Sequence, residues 1–138
     1  MRTIKTGFSL VELLVVISII GVLIGTASVN FITAQKQARD SRRLQDLEGI
    51  QTSLETYFAE LQAYPTSSAE IDSAFDSGVR PTDPKNDANF FYDWTHLTAT
   101  GYCVCAHLEA RLGNASAPTS EVCIWDTSDE YFCIQNRQ

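Results

Sequence analysis

The chain has 138 residues, of which 44% are hydrophobic and 20% charged, and its formal net charge is −7 at pH 7. This length fits one modest domain, and the composition is that of a globular protein. The acidic balance argues against non-specific binding to nucleic acid, which needs clustered lysine and arginine. We therefore expect no nucleic-acid partner.

The N-terminal quarter of the chain is strongly apolar. A short polar stretch with Arg2 and Lys5 comes first, and Glu12 is then the only ionisable side chain between residues 8 and 34. A bilayer crossing needs about 20 apolar residues. Residues 8–35 are therefore predicted to form a hydrophobic transmembrane or filament-core helix, and the positive residues before it should stay in the cytoplasm.

Glu12 separates this segment from three simpler interpretations. The run could be a secretory signal, cut near the small residues Gly25–Ser28, a plain membrane anchor, or a buried core helix. A charge at mid-membrane costs about 2.5–3.5 kcal/mol on insertion scales. Neither a disposable signal nor a plain anchor requires such a residue.

The sequence Gly7-Phe8-Ser9-Leu10-Val11-Glu12-Leu13-Leu14-Val15-Val16-Ile17 resembles the class III signal of type IV pilins and type II secretion pseudopilins. The resemblance implies that residues 1–7 are a leader, that a prepilin peptidase cuts between Gly7 and Phe8, and that Phe8 is then N-methylated. It also implies storage in the inner membrane, delivery by an assembly platform, and a homo-oligomeric helical filament in the periplasm or outside the cell. Membrane lipid would surround the helix before assembly.

The carboxylate of Glu12 has a physical role in such a filament. An unpaired buried charge costs far more than a paired one. If Glu12 of one subunit meets the terminal ammonium of Phe8 on a neighbour, the two subunits are held in register. A contact with Phe8 of the same chain, one helical turn away, is the alternative. Our hypothesis is that Glu12 guides assembly.

An amphipathic helix is predicted over residues 36–63, as the first part of a globular head at residues 36–138. Apolar residues recur at steps of three and four: Leu44, Leu47, Ile50, Leu54, Tyr57, Phe58 and Leu61. This spacing forms one face of a helix, and Pro65 disfavours helical geometry at Tyr64.

Two features of this helix are not explained by its apolar face. The cluster Arg39, Arg42 and Arg43 reads as a solvated surface, as contact with lipid headgroups, or as pairing with acidic faces of neighbouring subunits. Gly49 interrupts an otherwise good helix, and the sequence offers no reason for it.

A connecting region at residues 64–89 and a sheet at residues 90–138 complete the head. Strands are expected at Phe90–Trp94 and Tyr102–Leu108, and a closing hairpin at Glu121–Trp125 and Glu130–Ile134. A long helix followed by strands is an α+β plan. We therefore predict the pilin fold, in which the helix packs on a small antiparallel sheet.

The four cysteines, Cys103, Cys105, Cys123 and Cys133, all lie in the sheet region. An even number behind an export signal indicates disulfides, whereas the one-residue spacing of Cys103 and Cys105 is too short for usual zinc ligands. If the last hairpin turns around Ser128, Cys123 faces Cys133. We therefore favour a Cys123–Cys133 bridge, which leaves Cys103 and Cys105 as free thiols or as a strained local bridge.

Metal binding and catalysis have little support. Some pseudopilins that the chain resembles bind calcium in a C-terminal acidic loop, and Asp126, Asp129 and Glu130 are the candidates here. Calcium needs six to eight oxygens, so an acidic solvated turn is the simpler interpretation and no cofactor is assigned. His96 and His107 complete no catalytic constellation. We expect no enzymatic activity.

The resulting function prediction is a structural filament subunit of a pilus or a secretion pseudopilus, with DNA uptake as a less favoured use. The alternative is a minor or tip pilin, or a membrane-anchored binding module whose disulfide-stapled head holds a ligand. A secreted enzyme with an unusual signal is the least favoured class. The sequence does not distinguish a major from a minor subunit.

Overall fold

The computed structural model describes residues 7–137, apart from the side chains of residues 26–29. Its main element is helix α1, Leu10–Leu61, of 52 residues. The helix ends where Gln62 adopts a φ of 57°, in the left-handed region that commonly terminates helices. By contacts the chain forms two compact units, Met1–Gln35 and Lys36–Gln138.

The second unit holds the hydrophobic core. Leu47, Ile50 and Leu54 of α1 have no exposed surface and belong to one cluster with Tyr102 and Val104. Full burial of one such aliphatic side chain contributes about 1.5–3 kcal/mol. The apolar face that the helical spacing predicts is therefore the face of α1 that packs against the sheet.

Four short strands form the sheet: β1 at Tyr92–Asp93, β2 at Leu97–Thr98, β3 at Gly101–His107 and β4 at Tyr131–Gln135. β3 is central and pairs antiparallel with the other three. Helix α2, Ser68–Ser73, precedes the sheet and begins with a capping box between Ser67 and Glu70. The predicted α+β fold, a long helix on a small antiparallel sheet, is confirmed.

The expected closing hairpin is wrong. Strand β4 pairs with β3, and residues 121–125 form no strand; Trp125 makes only an isolated bridge to Ala115. The outer edge of β4 is covered by the side chain of Asn114, whose Oδ1 accepts from the Cys133 N–H at 2.7 Å and whose Nδ2 donates to the Cys133 carbonyl at 3.1 Å. The Asn114 and Ala115 N–H groups also donate to the Tyr131 carbonyl, at 2.8 and 3.1 Å, so side-chain and backbone contacts together cover this edge.

Candidate functional site

The first unit presents an apolar helical surface with no protein covering it. Phe8 is 88% exposed, and none of the residues in the most apolar stretch of α1 is buried. Exposed apolar surface of this extent marks contact with lipid or with another protein. Gly7 and Phe8 are the first described residues, and the rest of the predicted leader lies outside the described part of the chain.

Glu12 caps the start of this helix. Its Oε2 accepts from the Ser9 N–H at 2.9 Å, while the Ser9 hydroxyl oxygen accepts from the Glu12 N–H at 3.3 Å. This reciprocal pair is a capping box, which satisfies helix N–H groups that otherwise lack partners. The spacing Ser9-Leu-Val-Glu12 is the sequence signature of this box, which was not among the predictions. The carboxylate is therefore held within one turn of Phe8.

The second unit contains a buried cluster of charges around Arg43. The Arg43 side chain has no exposed surface and binds Asp83 at 2.6 and 3.0 Å, Asp40 at 2.8 Å and Glu109 at 2.9 Å. Arg39 adds two bonds to Glu109, at 2.7 and 2.6 Å. A solvated arginine cluster was thus the wrong reading for Arg43, and only Arg42 stays well exposed, 3.8 Å from Asp46.

The hydrogen bonds of this cluster favour the ionised forms of Arg43, Asp83 and Glu109. Burial alone would lower the pKa of Arg43, but its bonds to Asp83 and Glu109 outweigh burial and raise that pKa. The hydrogen bonds from Arg39 lower the pKa of Glu109 to about 2, against the opposing effect of burial. Burial alone would raise the pKa of Asp83, but the hydrogen bonds from Arg43 and from the Lys85 and Asn86 N–H groups together lower it. The cluster therefore fixes the connecting region to α1 through permanent charges.

The cysteines form two disulfides, Cys103–Cys123 and Cys105–Cys133, and none of the four is free. The favoured Cys123–Cys133 bridge is wrong. Because β4 pairs with β3, Cys133 lies opposite Cys105, and Cys123 reaches Cys103 from the loop outside β4. The four sulfurs lie within 4.8 Å of one another, but bonded in pairs they offer no thiolate to a metal.

Each of the three predicted calcium ligands has a different hydrogen-bond partner. Asp126 accepts from the backbone and hydroxyl of Ser128 at 2.9 and 2.7 Å, Asp129 accepts from the Glu130 N–H at 2.8 Å, and Glu130 lies 3.0 Å from the His107 ring. Among residues 7–137 these carboxylates do not gather into a group of three potential ligands. Calcium binding at these residues stays a prediction.

The two histidines contact different groups. The ring of His107 is stacked between Phe90 and Tyr131, with centroids at 4.9 and 4.8 Å. His96 lies 3.6 Å from Asp93. Neither histidine lies next to a free cysteine in the described chain, because all four cysteines are in disulfides.

The N-terminal residues of the chain match a known family model. A family model described as "Prokaryotic N-terminal methylation motif" matches residues 2–28, the segment that contains Gly7, Phe8 and Glu12. The resemblance inferred from these residues is therefore confirmed.

Curated relatives extend the match into the head. The chain is 35% identical over 74 residues to the type IV major pilin protein PilA of Myxococcus xanthus, which covers 54% of this chain and 34% of the relative. It is 31% identical over 86 residues to the type II secretion system core protein G of Escherichia coli, covering 62% of this chain and 57% of the relative. The core protein G of Dickeya chrysanthemi is 27% identical over 82 residues, with 59% and 54% covered.

The matched segments thus span between a third and somewhat over half the length of these relatives. No solved structure matches the chain. The chain is thus similar to subunits of type IV pili and of type II secretion systems.

Proposed function

We propose that the chain is a filament subunit that is stored in the inner membrane, processed by a prepilin peptidase and polymerised through its apolar helix. Cleavage falls between Gly7 and Phe8, and the new Phe8 amine is methylated. The assembled filament lies in the periplasm or outside the cell, and the inner-membrane assembly platform and further copies of this chain are its partners.

One observation carries this proposal. Glu12 is the only ionisable residue in a helical surface that is otherwise apolar and exposed, and its carboxylate sits within a turn of the residue that cleavage would make the N-terminus. Without its capping contact to Ser9, the carboxylate would be an uncompensated charge in lipid or in a filament core. A newly formed Phe8 ammonium supplies the opposite charge, from the same chain or from a neighbour.

Mass spectrometry of the mature N-terminus tests the processing step. We expect a chain that begins with methylated Phe8 and lacks residues 1–7. A product that begins near Val29 would instead identify an ordinary cleaved signal and overturn the proposal.

The role of Glu12 needs a separate experiment. Glu12→Ala should mature normally but give far fewer filaments, because the charge that pairs with the Phe8 amine is lost. Ser9→Ala is the matched control: it removes the hydroxyl that caps the helix and leaves the carboxylate. Equal filament yields from Glu12→Ala and the wild type would show that Glu12 does not guide assembly.

A further inference from the structure

The four cysteine sulfurs form one compact group inside the head. All four Sγ atoms lie within 4.8 Å of one another, and those of Cys103 and Cys105, which belong to different disulfides, are 3.6 Å apart. No more than 4% of any of the four residues is exposed. Two disulfides need only two separate pairs of close sulfurs. The convergence of both pairs on one point is therefore a feature of the fold that the disulfides alone do not require.

The spacing of these sulfurs is close to that of a zinc–tetrathiolate site. Tetrahedral Zn–S bonds of about 2.3 Å place any two of the four sulfurs roughly 3.8 Å apart. The sulfurs of Cys103 and Cys105 already have nearly this separation, at 3.6 Å. The sulfurs within each disulfide separate when the bond between them is reduced, and no other pair is more than 4.8 Å apart. Small side-chain movements would therefore bring the reduced group to the geometry that zinc prefers.

The sheet places three of the sulfurs without help from the disulfides. Cys103 and Cys105 are two residues apart on β3, so their side chains point to the same face. Cys133 on β4 lies directly opposite Cys105, in a backbone ladder that runs from Cys103 to His107 on β3. The usual spacing of two to four residues between zinc ligands suits a turn. Along a strand, the one-residue spacing of Cys103 and Cys105 is the spacing that lets both ligands face one ion.

The fourth sulfur comes from a loop that non-covalent contacts also position. The Cys123 N–H donates to Oε1 of Gln135 at 3.3 Å, which ties the loop to the end of β4. Two residues further on, Trp125 forms a backbone bridge to Ala115, a member of the same buried cluster as the cysteines. These contacts hold the Cys123 backbone beside the other three cysteines whether or not its sulfur is bonded.

Four buried cysteines around one point are the ligand set of a structural zinc site. Such sites are closed, because all four coordination positions are taken by side chains and none by water. Thiolate ligands also select zinc over calcium and magnesium, which prefer oxygen. The group in the head consists of cysteines alone, and all four are buried. Its chemistry therefore fits zinc when the sulfurs are thiolates.

We propose that, while its cysteines are reduced, the head binds one zinc ion through Cys103, Cys105, Cys123 and Cys133, and that oxidation to the two disulfides releases the ion. Every disulfide is made from two thiols, so the reduced head precedes the bridged head. The zinc ion would join β3, β4 and the Cys123 loop before the covalent bonds do. This inference does not depend on the proposed filament function.

The oxidation conserves atoms and electrons. A zinc-bound thiolate attacks a small disulfide such as oxidised glutathione and displaces one thiol, and the partner cysteine then displaces the second thiol from the mixed disulfide. Formation of two S–S bonds in the head removes four electrons from four thiolates. Two molecules of the small disulfide accept these electrons and, with four protons, become four thiols. The zinc ion leaves because its ligands have been consumed.

The test uses the full chain in detergent, isolated with its thiols reduced and kept free of oxygen. Cobalt(II) is the probe, because a tetrahedral cobalt thiolate absorbs visible light and zinc does not. We expect one cobalt per chain with a tetrathiolate spectrum, displacement by one equivalent of zinc, and no binding to the disulfide-bonded chain. Oxidised glutathione added to the zinc-loaded chain should release one zinc, measured with a chelating dye, and yield four molecules of reduced glutathione.

Two variants distinguish this site from adventitious metal binding. Cys105→Ser should weaken cobalt binding at least about 100-fold, since loss of an outer-shell partner alone already costs about 10–100-fold. His107→Gln removes another type of zinc ligand from the same strand and should leave the cobalt spectrum unchanged. Zinc should also raise the urea midpoint of the reduced wild type and of His107→Gln, but not that of Cys105→Ser, because a metal held by the folded head stabilises it.

Three results would overturn the zinc site: a reduced wild type without a tetrathiolate spectrum, a urea midpoint that zinc does not raise, or wild-type cobalt affinity in Cys105→Ser. Each of them leaves the proposed function standing, because processing at Gly7 and Phe8 and assembly through the apolar helix involve none of the cysteines. Failure of the N-terminal processing experiment would in turn leave the zinc site untouched.

Discussion

Arg43 and Asp83 form a buried, two-bonded ion pair across 40 residues of sequence, with Nε to Oδ2 at 2.6 Å and Nη2 to Oδ1 at 3.0 Å. Neither side chain has exposed surface. The pair joins helix α1 to the connecting region, which is also anchored by the buried residues Tyr64 and Ile71. The geometry matches the planar fork of arginine to the two oxygens of a carboxylate.

Replacement of Arg43 should therefore destabilise the head severely. Arg43→Met leaves three carboxylates without their shared cation, and breaking a buried pair in this way costs about 3–5 kcal/mol. Arg42→Met, on the exposed side of the same turn, should cost less than about 1 kcal/mol. Urea unfolding of the full chain in detergent, followed by circular dichroism, measures both; equal losses would mean that burial of Arg43 is energetically unimportant.

The charge cluster around Arg43 should also make the stability of the head fall at acidic pH. The pKa of Glu109 is lowered from 4.5 to about 2, so its stabilisation is complete above its ordinary pKa and is lost as the pH falls toward the folded value. The advantage of the wild type over Glu109→Gln should be greatest at neutral pH and shrink between about pH 5 and pH 2. Urea midpoints across this range give the comparison, and a constant difference would contradict the assignment.

The observed disulfide pairing differs from the predicted pairing in the number of free thiols that double variants should contain. In Cys103→Ser/Cys123→Ser the remaining Cys105 and Cys133 are native partners, so thiol titration of the oxidised protein should find no free thiol. In Cys105→Ser/Cys123→Ser the remaining pair is not a native one, and two thiols should titrate. Loss of one bridge should cost about 2–4 kcal/mol. Two free thiols in both variants would contradict the observed pairing and would be the result expected from a Cys123–Cys133 bridge.

Two glycines should respond oppositely to alanine. At Gly113 an added Cβ would clash with the Tyr131 carbonyl group, so Gly113→Ala must displace β4 and should cost at least about 3 kcal/mol. At Gly49 the space is open, and Gly49→Ala should stabilise the subunit by about 1 kcal/mol. Unfolding midpoints of the two variants provide the check, and a stable Gly113→Ala head would contradict the close approach.

Asn114 should matter for the edge of the sheet. Asn114→Ala removes both amide contacts to the backbone of Cys133 and leaves that edge unsatisfied, at a cost of about 1–3 kcal/mol. Asn89→Ala, on the exposed connecting loop, should change stability by less than about 0.5 kcal/mol. Amide hydrogen exchange at Cys133 should speed up only in the first variant; unchanged protection there would refute the role of the Asn114 side chain.

The elements with a strong local signal were predictable from sequence. The apolar spacing identified the buried helix face at Leu47, Ile50 and Leu54, although Leu61 at its end is 60% exposed. The β-forming residues identified β3 at Gly101–His107. These signals depend on residues close together in the chain. The fold class followed from them, because a helix stripe and a short sheet have few ways to bury their apolar faces.

The features decided by distant residues were not predictable. Asp83 and Glu109 gave no local sign that they would surround Arg43, so a buried cation looked like a surface cation. The hairpin assigned to residues 121–134 had suitable strand composition, but β3 competed successfully for β4, and this changed every disulfide partner. The capping box of Ser9 and Glu12 is the exception, since its spacing was visible and was overlooked.

The two disulfides also set how far the head can stretch under a pulling force. Because Cys105 is joined directly to Cys133, tension travels across that bond and bypasses residues 106–132. At 3.3–3.6 Å per extended residue, the oxidised head can lengthen by roughly 90 Å less than a reduced one. A filament built from such heads would resist elongation through its covalent chemistry even after its hydrogen bonds had given way.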